Sequence, residues 1–148
     1  MRLLIESDML LEFIAGRASA SDAWNKINAL ELTGAAELWV PAAAIAEVRD
    51  ALVGELPDHD IRSALRSAVA FLSVCSVDAA DIRFALEHET LPYNAALTES
   101  CARKIQADFI VTATGAIDLP RAVRRVSPEE LFAALEDEQG LVFDIIDF

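Results

Sequence analysis

The sequence predicts an α/β fold in which helices cover both faces of a central, mostly parallel sheet of four to five strands, giving three α/β/α layers. One observation is the short apolar run at residues 2–5, which has the length of a buried strand and is followed at once by helical spacing of apolar residues. Another is the alternation of strand-like and helix-like segments along the rest of the chain. A third is the stretch 108–112, the clearest strand, which is rich in β-branched and aromatic side chains.

The other elements are predicted from local patterns. Further strands are predicted at residues 37–40, 72–75 and 122–126. Ser21 and Asp22 are predicted to cap a helix that ends at Gly34, and Pro41 suits the first turn of the next helix. Apolar residues recur at helical spacing between residues 61 and 72, 82 and 86, and 93 and 105. The last helix is predicted to begin with a Ser-Pro-Glu-Glu capping box at residues 127–130.

Length and composition indicate one globular domain. The chain has 148 residues, 54 % of them hydrophobic, so we expect a domain over residues 1–140 and an acidic, apolar tail at 141–148. The tail is predicted to add an edge strand or to form an interface with a second subunit. The sequence has neither a membrane-spanning apolar run nor a signal-peptide pattern, which predicts a soluble cytoplasmic protein. Cys75 and Cys101 are predicted to be buried free thiols.

The charge of the chain bears on its partners. The formal net charge is −13. A negative field repels phosphate backbones, which counts against nucleic-acid binding. The nearest approach to a basic patch is formed by Arg121, Arg124 and Arg125. If the protein binds RNA, then it must do so at a specific local site, because its overall charge does not attract nucleic acid.

Acidic and amide side chains fall where the predicted sheet would present its carboxyl edge. Glu6 ends the first strand, and Glu47 lies in the helix after the second strand. Asn94 lies in the first turn of the helix before the 108–112 strand, and Asp118 lies in the loop after that strand. Because the carboxyl ends of parallel strands share one edge, these side chains are candidates for a common site. A hard cation such as Mg²⁺ or Mn²⁺ is the usual occupant of pooled oxygen ligands.

Each candidate also has a structural alternative. Glu6 could face solvent or stabilise a helix N-terminus, and Glu47 could lie at the edge of an apolar stripe. Asn94 could be an ordinary polar residue of a first helical turn, and Asp118 a loop acid. Asp8, in the same turn as Glu6, is predicted to cap the first helix instead of binding a metal.

The order of these segments resembles the PIN domain family. Residues 4–12, Leu-Ile-Glu-Ser-Asp-Met-Leu-Leu-Glu, are similar to the family opening L-L-D-T-N-V-L-L-D. Ile45-Ala46-Glu47-Val48 is similar to the segment of the second family acid, and Tyr93-Asn94-Ala95 to that of the third. Residues 108–114 resemble the next family strand, D-x-I-V-T-R-N, and residues 126–131 the last strand and helix. The resemblance extends from residue 2 to approximately residue 135.

The resemblance implies an activity and a set of partners. Members of the family are mostly metal-dependent ribonucleases, and many are toxins of toxin–antitoxin pairs. It therefore implies hydrolysis of phosphodiester bonds in single-stranded RNA with Mg²⁺ or Mn²⁺ as cofactor. Glu6, Glu47, Asn94 and Asp118 would be the catalytic and metal-binding residues. An antitoxin-like protein partner and a homodimer are also expected.

The sequence departs from the family at several site positions. Glu6 replaces an Asp, and Asn94 replaces an acid. Ala113 and Thr114 replace the usual Arg and the Asn or Asp after it. Since affinity for divalent ions depends on the charge of the ligands, weaker metal binding than is usual in the family is expected. The alternative function is a catalytically degenerate PIN-fold protein that acts through protein–protein contacts.

A receiver-type signalling domain is a third interpretation, because it also gathers acids at strand ends and has a Thr on its fourth strand. That domain requires an Asp at the end of the third strand and a Lys after the last strand. Cys75-Ser76 and residues 121–126 supply neither residue. The sequence therefore disfavours this interpretation.

Overall fold

The structure, a computed structural model, describes residues 1–16, 18–115 and 122–140, without the side chains of residues 18–21. Over these ranges the sheet has five strands, all paired in parallel, in the order β3-β2-β1-β4-β5. The strands are β1 (Arg2–Ile5), β2 (Glu37–Pro41), β3 (Ser73–Cys75), β4 (Phe109–Val111) and β5 (Arg125–Val126). This arrangement confirms the predicted α/β fold with a parallel central sheet.

Helices lie between the strands in sequence and cover the sheet. The first four are α1 (Ser7–Ile14), α2 (Ala18–Leu32), α3 (Ala42–Leu52) and α4 (Asp58–Val69). The others in the described part of the chain are α5 (Ala79–Glu87), α6 (Tyr93–Lys104) and α7 (Pro128–Gln139). Parallel strands require such crossovers, and covering both faces makes the central strands apolar throughout.

The central strand β1 separates two cores. Leu3 and Ile5 belong to the larger core, formed with apolar residues of α1 to α4 and α7. Leu4 points to the opposite face, where it packs with Ile110 of β4 and Cys101 of α6. Leu3, Leu4 and Ile5 are fully buried, as expected for a strand covered on both faces. The residue that follows β1 is therefore held rigidly at the carboxyl edge of the sheet.

Some predicted boundaries were wrong. Helix α2 begins at Ala18 and not at the predicted cap Ser21, because residues 18–20 include alanines, the strongest helix formers, and extend the first turn. Strand β5 covers only residues 125–126, since its partner β4 offers only Ile110 and Val111 for pairing. The capping box at α7 is confirmed. Ser127 Oγ accepts a hydrogen bond from Glu130 N, and Ser127 N donates to Glu130 Oε2 at 2.7 Å.

Other predictions concern single residues and the tail. Cys75 and Cys101 are free and buried, as predicted. The tail at residues 141–148 lies outside the described residues, so its predicted role as an edge strand or interface stays a prediction. None of the helices within the described ranges is long and apolar enough to cross a membrane.

Candidate functional site

Glu6 lies at the carboxyl edge of the sheet, directly after β1. Its backbone N–H donates to Val111 O at 3.0 Å, which fixes this position against the end of β4. Its side chain is only 16 % exposed, and Oε1 lies 3.6 Å from Nε of Arg125. Burial raises the pKa of the Glu6 carboxyl above its usual value, and neighbouring Asp8 adds to the rise, against the opposing pull of Arg125.

Arg125 is the residue of this site that sequence reasoning missed. The sequence groups it with Arg121 and Arg124 as the nearest approach to a basic patch, yet its side chain is only 2 % exposed. Neighbouring Val126 packs into the larger core, so alternation along β5 directs Arg125 toward α6. There, Nη1 lies 3.1 Å from Glu99 Oε2, and Nη2 donates to Ala95 O at 2.9 Å.

Glu99 is the main acidic partner of Arg125. It is fully buried on α6. Its Oε2 accepts from Arg125, and its Oε1 accepts from Arg103 Nε at 3.0 Å and from the backbone N–H of Val123 at 2.9 Å. A sequence signal for this pair existed: Glu99 lies three residues from Ala96 and from Ala102, both on the buried side of the helix. A charged residue on such a stripe indicates a buried partner of opposite charge.

Asp8 holds the loop that follows β4. Its Oδ2 accepts hydrogen bonds from Thr112 Oγ1 at 2.7 Å and from the backbone N–H of Ala113 at 3.1 Å. Its Oδ1 accepts from the backbone N–H of Met9 at 2.6 Å. Asp8 therefore connects the β1–α1 turn to the loop after β4 by direct hydrogen bonds.

Glu47 lies on α3, across a shallow cleft from α1. Its Oε2 accepts a hydrogen bond from Ser7 Oγ at 2.9 Å. The cleft has a volume of about 240 Å³ and presents two carboxylates beside apolar walls. Its lining residues are Ser7, Asp8, Leu11, Glu47, Val48 and Ala51. Within the described ranges, this cleft is one part of the acidic edge that is open to a ligand.

The other predicted site residues are placed differently. Asn94 lies in the first turn of α6 and is exposed. Asp118 falls outside the described residues. Among the residues that are described, no group of three or more His, Cys, Asp or Glu side chains is arranged to hold a metal ion. The structure thus links Glu6 to Arg125 and Glu47 to Ser7, and the metal-binding role of the four residues stays a prediction.

Comparison with known families gives the class of this fold. A PIN domain family model matches residues 2–114, which is most of the chain. The chain therefore belongs to the PIN domain family. No curated protein matches the sequence significantly.

Solved structures with the same fold include two from bacterial toxin systems. A chain in the crystal structure of VapBC2 from Rickettsia felis, bound to a DNA fragment from their promoter, is 16 % identical with a TM-score of 0.60. That match covers 76 % of this chain and 87 % of the other. VapC20 of Mycobacterium tuberculosis, a toxin that cleaves the sarcin-ricin loop, is 14 % identical with a TM-score of 0.55. That match covers 73 % of this chain and 86 % of the VapC20 chain. At these identities the likeness is one of fold.

PIN domains generally use divalent metal ions, but the described residues of this chain do not fit one. A guanidinium lies against Glu6, the residue that the sequence resemblance places at the first family acid. At an equal distance, the repulsion between this guanidinium and a dication would oppose the attraction of the Glu6 carboxylate, while Glu99, 3.1 Å from Arg125, offsets part of the guanidinium charge. At about 4 Å and an effective dielectric of about 20, each of these opposing terms is about 8 kcal/mol. The exposed amide of Asn94 carries no charge, so it does not compensate for the weakened attraction between this site and a dication.

Proposed function

We propose that this PIN-domain chain acts by binding a protein partner and that its nuclease centre has lost catalysis. The observation that carries this proposal is the Arg125 guanidinium beside Glu6, at a distance of 3.6 Å between Nε and Oε1. Arg125 itself is almost fully buried and held on two further sides by Glu99 and the Ala95 carbonyl, so its charge is fixed in place.

The proposed partner carries basic residues. The chain has a net charge of −13, which favours association with a positively charged surface. The cleft between α1 and α3 offers the Asp8 and Glu47 carboxylates next to the apolar side chains of Leu11 and Val48. A long basic side chain matches this surface, since its apolar stem can lie along the walls and its charged end can meet the acids. A small antitoxin-like protein with such a segment is the partner we propose.

Loss of catalysis is tested by an RNA cleavage assay. Purified wild-type protein and the Glu47→Gln variant would be incubated with labelled single-stranded RNA in Mg²⁺ and in Mn²⁺. We expect both proteins to cleave the RNA no faster than the background rate measured without protein. Cleavage that requires the metal ion and disappears in Glu47→Gln would contradict the proposal.

Partner binding is tested by charge reversal in the cleft. Tagged wild-type chain, expressed in its source cells, should purify with a basic protein in stoichiometric amount. Glu47→Lys should release that protein because it places a positive charge beside the proposed basic segment. Glu87→Lys, which makes the same change at an exposed position on α5, serves as the control and should retain the partner. Retention by both variants would remove the cleft from the proposed interface.

A second candidate is a weak metal-dependent ribonuclease that cuts single-stranded RNA. Membership of the PIN family and the open Glu47 carboxylate favour it. In this case Glu6, Glu47, Asn94 and Asp118 would together hold Mg²⁺ or Mn²⁺. The cleavage assay above decides between the two candidates. A homodimer is proposed in either case, and sedimentation velocity of the purified chain tests it directly.

A further inference from the structure

We infer that Arg125 is a built-in cation that takes the place of a divalent metal at the acidic edge of this fold. The inference is independent of the proposed partner, since it concerns how the charges of the domain itself are balanced. It also predicts that removing the guanidinium creates a site for a divalent ion that the wild-type protein does not have.

The position of Arg125 is the first argument. Its guanidinium connects the end of β1 to α6 through Glu6 and Glu99. The resemblance to PIN domains assigns the Glu6 position to a metal ligand. The cation present beside this carboxylate therefore comes from β5 of the same chain.

The geometry of the guanidinium is the second argument. Nη1 donates to Glu99 Oε2 and Nη2 donates to Ala95 O, and Nε lies 3.6 Å from Glu6 Oε1, within ion-pair distance. Two carboxylates and one carbonyl are also the kind of oxygen ligands that bind hard divalent ions. The ligand types thus suit either a dication or a planar, charged donor with several N–H groups. This chain supplies the latter.

Burial is the third argument. The side chains of Arg125 and Glu99 are exposed by only 2 % and 1 %, and that of Glu6 by 16 %. Buried carboxylates need a compensating charge, because water cannot solvate them. Arg103 contributes to Glu99 through Oε1, but its own side chain is 47 % exposed. Arg125 is therefore the buried cation through which Glu6 and Glu99 are connected.

The alternative is an ordinary structural ion pair between Arg125 and Glu99 that has no connection with a metal position. The two explanations differ in one consequence. If Arg125 replaces a metal, then deleting its charge should make the stability of the protein respond to divalent ions through Glu6. An ordinary ion pair would be lost without creating such a response.

Thermal unfolding in the presence of Mn²⁺ or EDTA tests this difference. The melting temperature of the wild-type protein should be the same in millimolar Mn²⁺ and in EDTA. Arg125→Met, which keeps the length of the side chain but removes its charge, should melt several degrees lower in EDTA and regain part of the loss in Mn²⁺. The double variant Arg125→Met/Glu6→Gln should show no gain, because the proposed ligand is absent.

Two controls keep the test decisive. Arg125→Lys retains a positive charge, so it should fold and remain indifferent to Mn²⁺ even if Arg125→Met is too unstable to purify. If Arg125→Met is too unstable to purify, the yield of soluble Arg125→Met on refolding should rise with Mn²⁺ and not with Na⁺ at the same ionic strength. Stabilisation of the wild-type protein by Mn²⁺, or an Arg125→Met variant as indifferent to Mn²⁺ as wild type, would overturn the inference. The readout is stability, so a failure to find a protein partner has no bearing on it.

Discussion

Nη1 of Arg125 lies 3.1 Å from Oε2 of Glu99, and both side chains are almost completely removed from solvent. One residue comes from a two-residue edge strand and the other from the middle of α6. Their contact fixes α6 to the sheet at the point where Glu6 ends β1. Because a buried charge without its partner is strongly unfavourable, this pair should be a principal determinant of stability at the acidic edge.

Glu99→Gln should therefore destabilise the protein substantially. The change leaves the Arg125 charge buried without its nearest carboxylate, and breaking a buried pair in this way typically costs about 3–5 kcal/mol. Urea denaturation of the two proteins measures the difference in the free energy of unfolding. Glu87→Gln on the exposed face of α5 is the matched control and should lie within about 0.5 kcal/mol of wild type. Equal stability of Glu99→Gln and the control would show that the pair contributes little.

Asp8 and Thr112 should be energetically coupled. Thr112 Oγ1 donates to Asp8 Oδ2 at 2.7 Å, and a hydrogen bond to a charged group typically contributes about 1.5–3 kcal/mol. A double-mutant cycle with Asp8→Ala and Thr112→Val isolates this interaction from the other contacts of each residue. We expect a coupling free energy of at least 0.5 kcal/mol, the lower bound for residues in contact. Strictly additive effects would contradict the proposed link between β1 and β4.

Asp81 should make the stability of the protein depend on acidic pH. Burial of this carboxyl opposes its ionisation, but hydrogen bonds from the backbone of Asp78 and the side chains of Lys104 and Ser100 outweigh burial and lower its pKa below the ordinary 3.8. A lowered pKa in the folded state adds stability that is present above pH 3.8 and is lost as the pH falls through the folded pKa.

The test of this prediction measures the free energy of unfolding of the wild-type protein and of Asp81→Asn over a range of pH. The wild-type protein should be more stable at neutral pH, and its advantage should shrink as the pH falls below 3.8. Asp58→Asn provides a control, since Asp58 is an exposed residue of α4 that is paired with the exposed Arg62. An advantage of wild type that grows on acidification would have the wrong sign for this explanation.

Asn94→Asp should fail to create a nuclease. The substitution introduces the acid that the resemblance to PIN domains implies at this position, but residue 94 is exposed and Arg125 still lies against Glu6. Cleavage of single-stranded RNA in Mn²⁺ should therefore stay at the level of wild type. If the single substitution produces metal-dependent cleavage, then the charge at position 94 was the missing component and Arg125 is no obstacle.

Local sequence patterns were sufficient to predict the fold. The apolar run before Glu6 and the β-branched strand at residues 108–112 each reflect burial on both faces of a sheet, which is visible in a short window. The Ser127–Glu130 capping box was equally predictable because both of its hydrogen bonds join residues three positions apart. Patterns of this kind also led to Glu6 and Glu47 as residues of one sheet edge.

The buried charges were not predictable in the same way. Arg125 and Glu99 are 26 residues apart, and their contact exists only after β5 has paired with β4 and α6 has packed on the sheet. In the sequence, Arg125 stands beside Arg124, which is paired with Glu138 at the surface. Arg124 directly precedes β5 and faces solvent, whereas Arg125 faces the interior, so a short basic run does not by itself reveal which arginine is buried.

The central claim is that a guanidinium, and not a divalent metal, balances the acids at the end of β1. Calorimetric titration of the wild-type protein with Mn²⁺ tests this claim most directly, with Glu6→Gln as the comparison. The account predicts no saturable binding heat at millimolar Mn²⁺ and indistinguishable traces for the two proteins. Saturable binding of one Mn²⁺ per chain that is lost in Glu6→Gln would contradict it.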